Sequence, residues 1–379
     1  MKTMIVVTHL LGTGHLARAL TLARAFTAAG HGCTVVSGGL HAPHLDATGV
    51  NLVHLPPLRS DGVNFTRLLD DSGTPTTDTY MYKRRHVLER TLVELAPDAI
   101  VTELFPFGRR ILRDEFVHLL TSARRLPVRP VVCASVRDIL APPSKPAKAA
   151  ATEDIIRTHY DAVLVHSDAQ IMPLEASWPV SPALANELYY TGFVAPGAAG
   201  GHPKEAGKGE ILVSAGGGDV GDHLFDEAVG AAAAQPSWRW RILVGGQDAA
   251  KRVARLRSRA PDNVIAETAR PDFRQMLHHA RASVSMCGYN TALDILQAGT
   301  AAVFVPFDAG GEVEQSLRAK ALARLPGVAL LPTSDLSKDT LLRALKEVMN
   351  APERPTQTAK FDGARETVRI VETLRERRA

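Results

Sequence analysis

Apolar residues recur along this chain in short runs separated by stretches with helical spacing. In the first half the runs fall at residues 4–8, 33–37, 51–55, 99–102, 130–134, 162–165 and 188–191. Each is long enough for one strand and apolar on successive positions, which suits a parallel strand buried on both faces. Between some of them lie amphipathic stretches at 16–29, 85–95 and 109–120; in the first, Leu16, Leu20, Ala23 and Phe26 form one stripe. Residues 195–209, dominated by Gly, Pro and Ala without a period, read as a linker. A second series follows, with strands at 210–214, 239–244, 263–266, 282–286, 302–305 and 328–331. Helices are expected at 219–234, 248–259, 272–280, 291–298, 312–322 and 338–349. After a polar, Pro-containing break at 352–358, residues 360–378 form a last helix. Such alternation predicts an α/β protein of two doubly wound, Rossmann-like domains, 1–200 and 201–355, followed by a C-terminal segment 356–379. Residues 58–82, rich in Asp, Thr and Gly, read as one long polar loop.

In open parallel sheets, ligands bind beyond the carboxyl ends of the strands. The most informative strand end lies in residues 283–322. There Cys287-Gly288-Tyr289-Asn290-Thr291 joins a strand to a helix, and the free N–H groups and positive end of such a helix favour a phosphate. Asp294 follows on what reads as the first turn, within reach of a ribose hydroxyl, Gly299 closes the helix, and Glu314 and Gln315 open the next. The run Ser214-Ala215-Gly216-Gly217-Gly218 repeats the arrangement after the first strand of this half, as a cradle for an oxyanion. Arg270 stands just ahead of the helix before strand 282–286.

The pattern Cys287-Gly288, Asp294, Gly299, Val305-Pro306, Glu314-Gln315 resembles the donor-sugar motif of GT-B glycosyltransferases. It is most similar to the family 28-like group that contains the lipid-linked N-acetylglucosaminyltransferase of peptidoglycan synthesis. Cys287 stands where that group usually has Ser, and Asp294 where it usually has Glu. The resemblance implies a GT-B architecture, two Rossmann-like domains facing across a cleft, with the last helix packing back on the N-terminal domain. It implies that Ser214, Gly216, Gly217, Gly218, Gly288, Tyr289, Asn290, Thr291, Asp294, Glu314 and Gln315 hold a nucleotide-sugar donor, with the backbone near Arg270 meeting the base.

The first strand ends in His9-Leu10-Leu11-Gly12-Thr13-Gly14-His15, followed by Arg18. Gly12, Gly14 and Ala17 fit the G-x-G-x-x-A dinucleotide fingerprint, but no acid follows the second strand until Asp46, which disfavours a nicotinamide or flavin. The same turn resembles the first loop of GT-B enzymes. That likeness places Gly12, Thr13 and Gly14 at the acceptor or the donor diphosphate, and makes His15 a base near neutral pH. Three further strand ends carry polar groups: Glu103, Arg137-Asp138 and His166-Ser167-Asp168. Glu103 either orients His15 or is the base itself; the alternative is a salt bridge to Arg109 or Arg110. Arg137 holds a diphosphate or an acidic acceptor, unless it merely pairs with Asp138. Residues 103–109 with 135–138 also resemble a poorly characterised bacterial subgroup of predicted GT-B transferases.

Composition narrows the classes. The 379 residues permit sizeable cores, and 45% hydrophobic with 22% charged residues describe an ordinary globular chain. A net charge of +4 with scattered basic residues gives no nucleic-acid patch. Cys33, Cys133 and Cys287 form no C-x-x-C or metal pattern, as in a reducing cytoplasm. Residues 1–9 read as a strand rather than a signal peptide, and no run of about 18 apolar residues offers a spanning helix. The resemblance to GT-B enzymes implies transfer, with inversion at the anomeric carbon, from a nucleotide diphosphate sugar, a UDP-sugar, to a small-molecule or lipid-linked acceptor, and the missing D-x-D agrees with a metal-independent reaction. It would take place in the cytoplasm, with room for peripheral contact at the inner membrane face, and with no cofactor beyond the co-substrate. A nucleotide-sugar hydrolase of the same fold and a non-catalytic nucleotide-sugar binding protein are the alternatives.

Overall fold

The structure, a computed structural model, describes residues 1–10, 12–60, 67–216, 218, 220–309, 312–354 and 359–378. The chain divides into two compact units. Unit 1 comprises residues 1–169, 173–196 and 360–379, and unit 2 comprises 170–172 and 197–359.

Unit 1 is built on strands β1 (Lys2–Val7), β2 (Gly32–Gly39), β3 (Asn51–Leu58), β4 (Ala99–Glu103), β5 (Val131–Arg137), β6 (Ala162–His166) and β7 (Leu188–Tyr190). All pair in parallel in the order β3-β2-β1-β4-β5-β6-β7. The chain reverses its direction of growth between β1 and β4, so the switch point lies at their carboxyl ends. β1 shows why both faces must be covered: Met4 and Val6 enter one apolar cluster, Ile5 and Val7 the other. The helices α1 (Gly14–Ala28), α2 (Asp78–Leu95), α3 (Arg113–Ala123), α4 (Pro146–His159) and the single turn α5 (Pro182–Ala185) supply the cover. α1 buries Leu16, Ala19, Leu20, Leu22, Ala23 and Phe26.

Unit 2 has strands β8 (Glu210–Ser214), β9 (Arg239–Val244), β10 (Val264–Thr268), β11 (Ala282–Ser285), β12 (Ala302–Phe304) and β13 (Val328–Leu330). They too are parallel, in the order β10-β9-β8-β11-β12-β13, with the switch point between β8 and β11. Its helices are α6 (Asp222–Ala234), α7 (Ala249–Arg257), α8 (Phe273–Leu277), α9 (Tyr289–Ala298), α10 (Glu314–Leu322) and α11 (Lys338–Asn350). The last helix, α12 (Gly363–Glu376), belongs to unit 1, where Val368, Ile370, Val371 and Leu374 share an apolar cluster with the α1 stripe.

The α/β class and the strand positions agree with the hydrophobic pattern, and three readings change. The polar stretch 58–82 is not one loop. α2 starts at Asp78, capped by Thr77, whose hydroxyl accepts from the Tyr80 N–H, and Leu69 bridges both Arg59 and Pro75; residues 61–66 lie outside the described residues. Its first turns expose polar side chains, so no stripe marks them. α4 went unread because only Thr152 and Ile156 of its residues are buried. Proline in its first turn and an alanine-rich sequence favour the helix without a stripe. The helix expected at 109–120 begins at Arg113, after a 3-10 turn at Arg110–Leu112 entered through Arg109 in the left-handed region, φ 56°. Among the described residues no helix is long and apolar enough to cross a membrane.

Candidate functional site

At the switch point of unit 1, β1 runs through Thr8 and His9 into the glycine turn, and α1 begins at Gly14. His15 and Arg18 are one turn apart on α1 and therefore face the same side. Glu103 is the last residue of β4, and Ser135 stands directly abreast of it on β5. These four side chains converge. His15 Nδ1 lies 2.8 Å from Glu103 Oε1, Ser135 Oγ donates to Glu103 Oε2 at 2.6 Å, and Arg18 donates to both carboxylate oxygens. Behind Ser135, His166 Nε2 approaches its hydroxyl at 2.9 Å, and His166 Nδ1 lies 2.9 Å from Thr191 Oγ1. Glu103 is 1% exposed, while the His15 side chain keeps 16% of its surface.

An ionised carboxylate offers about four lone-pair sites. Here two go to Arg18, one to His15 and one to Ser135. Burial alone would push the Glu103 carboxyl up, but Arg18 and His15 outweigh it and hold it well below the usual carboxylate range. Burial dominates for His15 and lowers it to about 4, despite Glu103. The imidazole is therefore neutral at pH 7. Nδ1 faces the carboxylate at 2.8 Å and Arg18 Nη2 at 3.2 Å; the tautomer with its hydrogen on Nδ1 donates to the carboxylate and leaves on Nε2 the lone pair that a base needs. Glu103 holds the His15 ring at Nδ1, and its ion pair is made with Arg18 rather than with Arg109 or Arg110. Arg109 instead donates from Nε to the Thr8 carbonyl at 2.6 Å, and Arg110 to the Phe107 carbonyl at 2.7 Å.

Thr13 precedes α1 without capping it; its hydroxyl pairs with His44 Nε2 at 3.0 Å. A Cβ placed on Gly12 or Gly14 would meet nothing within 4 Å, so the turn is open to an approaching ligand. Arg137 ends β5, with Nε donating to the Ile139 carbonyl at 3.2 Å.

In unit 2, Ser214 ends β8, and its hydroxyl accepts from the Gly216 N–H at 3.2 Å. Gly216 takes φ 79° and Gly218 is exposed; Gly217 lies outside the described residues. The turn closes at Gly221, φ 95°, where a Cβ would lie 2.3 Å from that of Ala215, so only glycine fits. α9 begins at Tyr289, two residues earlier than its spacing suggests. Gly288 is its N-cap, with no capping side chain and no acid in the first turn. Tyr289, Asn290 and Thr291 thus place their N–H groups at the head of a helix whose N-cap, Gly288, supplies no capping side chain. The early start moves Asp294 from the first turn to the second. There its Oδ1 accepts from Arg274 Nε at 2.6 Å, while Arg274 Nη2 also donates to Gln297 Oε1 at 3.0 Å and to the Gly197 carbonyl at 2.8 Å. Burial raises the Asp294 carboxyl and Arg274 opposes it.

α10 opens at Glu314, with the Glu312 carboxylate accepting from the Glu314 N–H at 2.8 Å. Gln315 Oε1 accepts from the Phe307 N–H at 3.2 Å. Buried Arg318 donates to the Cys287 carbonyl at 2.9 Å and lies 5.8 Å from the Tyr289 ring centroid, which ties α10 to the turn before α9. Arg270 pairs with Asp272 at 2.6 Å. Arg274, Arg318 and Glu312 have no motif to announce them, and only the fold brings them to the turn. His166 was visible as a polar strand end and Ser135 only as a member of the run 135–138; their partnership was not visible.

Two α/β units of parallel sheets with this connectivity define the GT-B class, and comparison with solved structures agrees. The Acinetobacter baumannii MurG structure superposes with a TM-score of 0.67 at 16% identity, covering 98% of this chain and 99% of that one. CalG4, the calicheamicin glycosyltransferase, gives a TM-score of 0.61 at 18% identity, covering 99% and 94%. More particularly, residues 222–374 match the glycosyltransferase family 28 C-terminal domain. The chain is 30% identical over 149 residues to the UDP-N-acetylglucosamine--N-acetylmuramyl-(pentapeptide) pyrophosphoryl-undecaprenol N-acetylglucosamine transferase of Brucella canis. That match covers 38% of this chain and spans 39% of the length of the relative. The chain thus has the GT-B fold and resembles the MurG group.

Proposed function

We propose that this chain is a glycosyltransferase that moves a sugar from a nucleotide diphosphate donor, a UDP-sugar, to an acceptor hydroxyl, with inversion at the anomeric carbon. The observation that carries the reading is the α9 N-terminus, headed by Gly288, with Asp294 one turn on, at the switch point of unit 2, inside the segment that matches the family 28 domain. In this account the N–H groups of Gly288, Tyr289, Asn290 and Thr291 and of the turn at Ser214 and Gly216 bind the diphosphate, and Asp294 accepts from the ribose. Glu314 and Gln315 meet the sugar or the ribose, and the backbone near Arg270 meets the base.

In unit 1, His15 Nε2 takes the acceptor's proton as its oxygen attacks the anomeric carbon. The bond to the β-phosphate oxygen breaks, and the nucleoside diphosphate leaves with that electron pair. Fixed N–H groups meet the leaving charge, so no metal is required, and the nucleotide sugar is a co-substrate rather than a cofactor. Gly12, Thr13, Gly14 and Arg137 would line the acceptor side. A lipid-linked acceptor, of the kind named for the Brucella canis relative, or a small molecule fits the open glycine turn. We place the activity in the cytoplasm, with peripheral contact at the inner membrane face.

The test is calorimetric titration with UDP, followed by release of UDP from a panel of UDP-sugars with and without a cell extract. Micromolar UDP binding and extract-dependent release support transfer. Rapid release without an acceptor would make the chain a hydrolase, and UDP binding without turnover a binding protein.

A further inference from the structure

The short bond from Ser135 to Glu103 sets the direction of the buried chain behind His15. Glu103 is ionised and can only accept. Ser135 has one hydroxyl hydrogen, and at 2.6 Å from Glu103 Oε2 that hydrogen is committed to the carboxylate, where a charge-assisted bond is the stronger choice. Ser135 Oγ can then only accept from its other neighbour, so the His166 nitrogen 2.9 Å away, Nε2, must carry a hydrogen. On the far side of the ring Thr191 Oγ1 lies 2.9 Å from Nδ1 and itself donates to the Gly192 carbonyl at 2.7 Å. Ser135 and Arg18 thus donate to one carboxylate, His15 Nδ1 lies against it, and His166 backs Ser135. Every member except His15 is essentially shielded from solvent: His166 and Ser135 are 0% exposed, Glu103 1% and Arg18 7%.

The arrangement is closed at the His166 end and open at the His15 end. A buried side-chain alcohol and a buried imidazole, both 0% exposed, are costly to keep in an apolar sheet unless fully paired. Leu164, the residue paired with Ser135 in the β5–β6 register, shows that this layer otherwise packs as plain aliphatic core.

We infer that Ser135 and His166 are positioning residues that fix the Glu103 carboxylate and, through it, hold His15 as the Nδ1–H tautomer with Nε2 bare. The two residues touch no substrate and act only by filling Glu103 Oε2, so that the carboxylate cannot turn away from His15 Nδ1. The inference rests on His15 being the base of the proposed transfer, but its first readout needs no donor or acceptor.

That readout is nitrogen NMR of the full chain labelled at histidine, with the His15 and His166 signals among the 14 histidines assigned by His15→Gln and His166→Gln. In the unaltered protein we expect His15 protonated on Nδ1 alone and His166 carrying hydrogen on Nε2. Ser135→Ala, checked for fold by circular dichroism, should mix the His15 tautomers and move its titration by about one pH unit. Ser135→Thr, which keeps the hydroxyl, should restore both. If the alanine variant does not fold, His166→Leu should give the same mixing while His166→Gln, whose amide can still donate, should not.

With a turnover assay in hand, Ser135→Ala should lower kcat about tenfold and leave UDP affinity unchanged. A His15 signal with hydrogen on Nε2 in the unaltered protein, or a His15 signal identical in Ser135→Ala, overturns the inference. Absence of UDP-sugar turnover with the NMR pattern intact would instead remove the transferase reading and leave the positioning chain standing.

Discussion

Arg274 grips Asp294: its Nε donates to Oδ1 at 2.6 Å, and its Nη2 reaches Gln297 as well. Burial raises that carboxyl above its ordinary value, and the guanidinium opposes this. A ribose binding here therefore meets an anion already held in place, and each hydrogen bond to a charged acceptor contributes about 1.5–3 kcal/mol. Asp294→Ala should weaken UDP binding roughly tenfold or more, by calorimetry, with the fold retained. Unchanged affinity in a folded variant would remove Asp294 from the donor site.

His15 stands on the other unit, so its loss should act on chemistry and not on nucleotide binding. His15→Ala should lower turnover by about 10²–10⁴, with UDP affinity within a factor of two or so of the unaltered chain. Full turnover in the variant would refute the assignment and send the search for a base elsewhere at the strand ends of unit 1.

Acid should weaken the protein through the same residues. His15 is lowered to about 4 and His166 to about 3 in the folded chain, in both cases chiefly by burial, against an ordinary 6.5. The unfolded chain thus binds these protons more readily. The penalty is absent above pH 6.5 and grows as the pH falls from 6.5 toward 4. At about 1.4 kcal/mol per unit, His15 alone accounts for a loss of roughly 3 kcal/mol at the acid end. Urea unfolding from near neutrality down to about pH 4.5 should show stability falling, and falling less in His15→Gln. The acid limb of kcat/KM should likewise lie well below 6.5; a bend at 6.5 would mean that His15 is not buried as described.

The turn between β8 and α6 admits no side chain at its last position. Gly221 combines φ 95° with a would-be Cβ 2.3 Å from Ala215. Gly221→Ala should cost about 1–3 kcal/mol in urea unfolding. A variant as stable as the parent would show that the turn relaxes freely.

Turnover in excess EDTA is the check on metal independence, which the absence of any D-x-D motif suggests. Activity should persist. If EDTA abolished it and Mg²⁺ or Mn²⁺ restored it, the account of leaving-group stabilisation by backbone N–H groups would fall.

The strands were legible because a parallel strand buried on both faces writes itself as an unbroken apolar run, as in residues 4–8. α4 was not legible, because it rests on propensity and end effects instead of an apolar face. The chemistry divides in the same way. Gly288, Asp294 and His15 lie next to glycine turns that mark strand-to-helix junctions, so local spacing points to them. Glu103 could be seen at a strand end, but whether it met Arg109, Arg110 or Arg18 depended on which helix face lay over β4. The abreast pairing of Glu103 with Ser135 depended on β4–β5 register, which no local window carries. Arg274 and Arg318 reach their partners across 20 and 31 residues, for the same reason.

The shared apolar cluster of α1 and α12 sets an order on how this chain matures. α1 leaves the ribosome long before Val368, Ile370, Val371 and Leu374, which join its cluster. While the residues between them are being made, part of the stripe on α1 has no native partner. Unit 2 is almost entirely the continuous stretch 197–359 and can close on its own residues while the first unit is still waiting. A stop codon or proteolytic cut just before Gly363 would therefore damage unit 1, which holds His15, and spare unit 2, which holds Asp294.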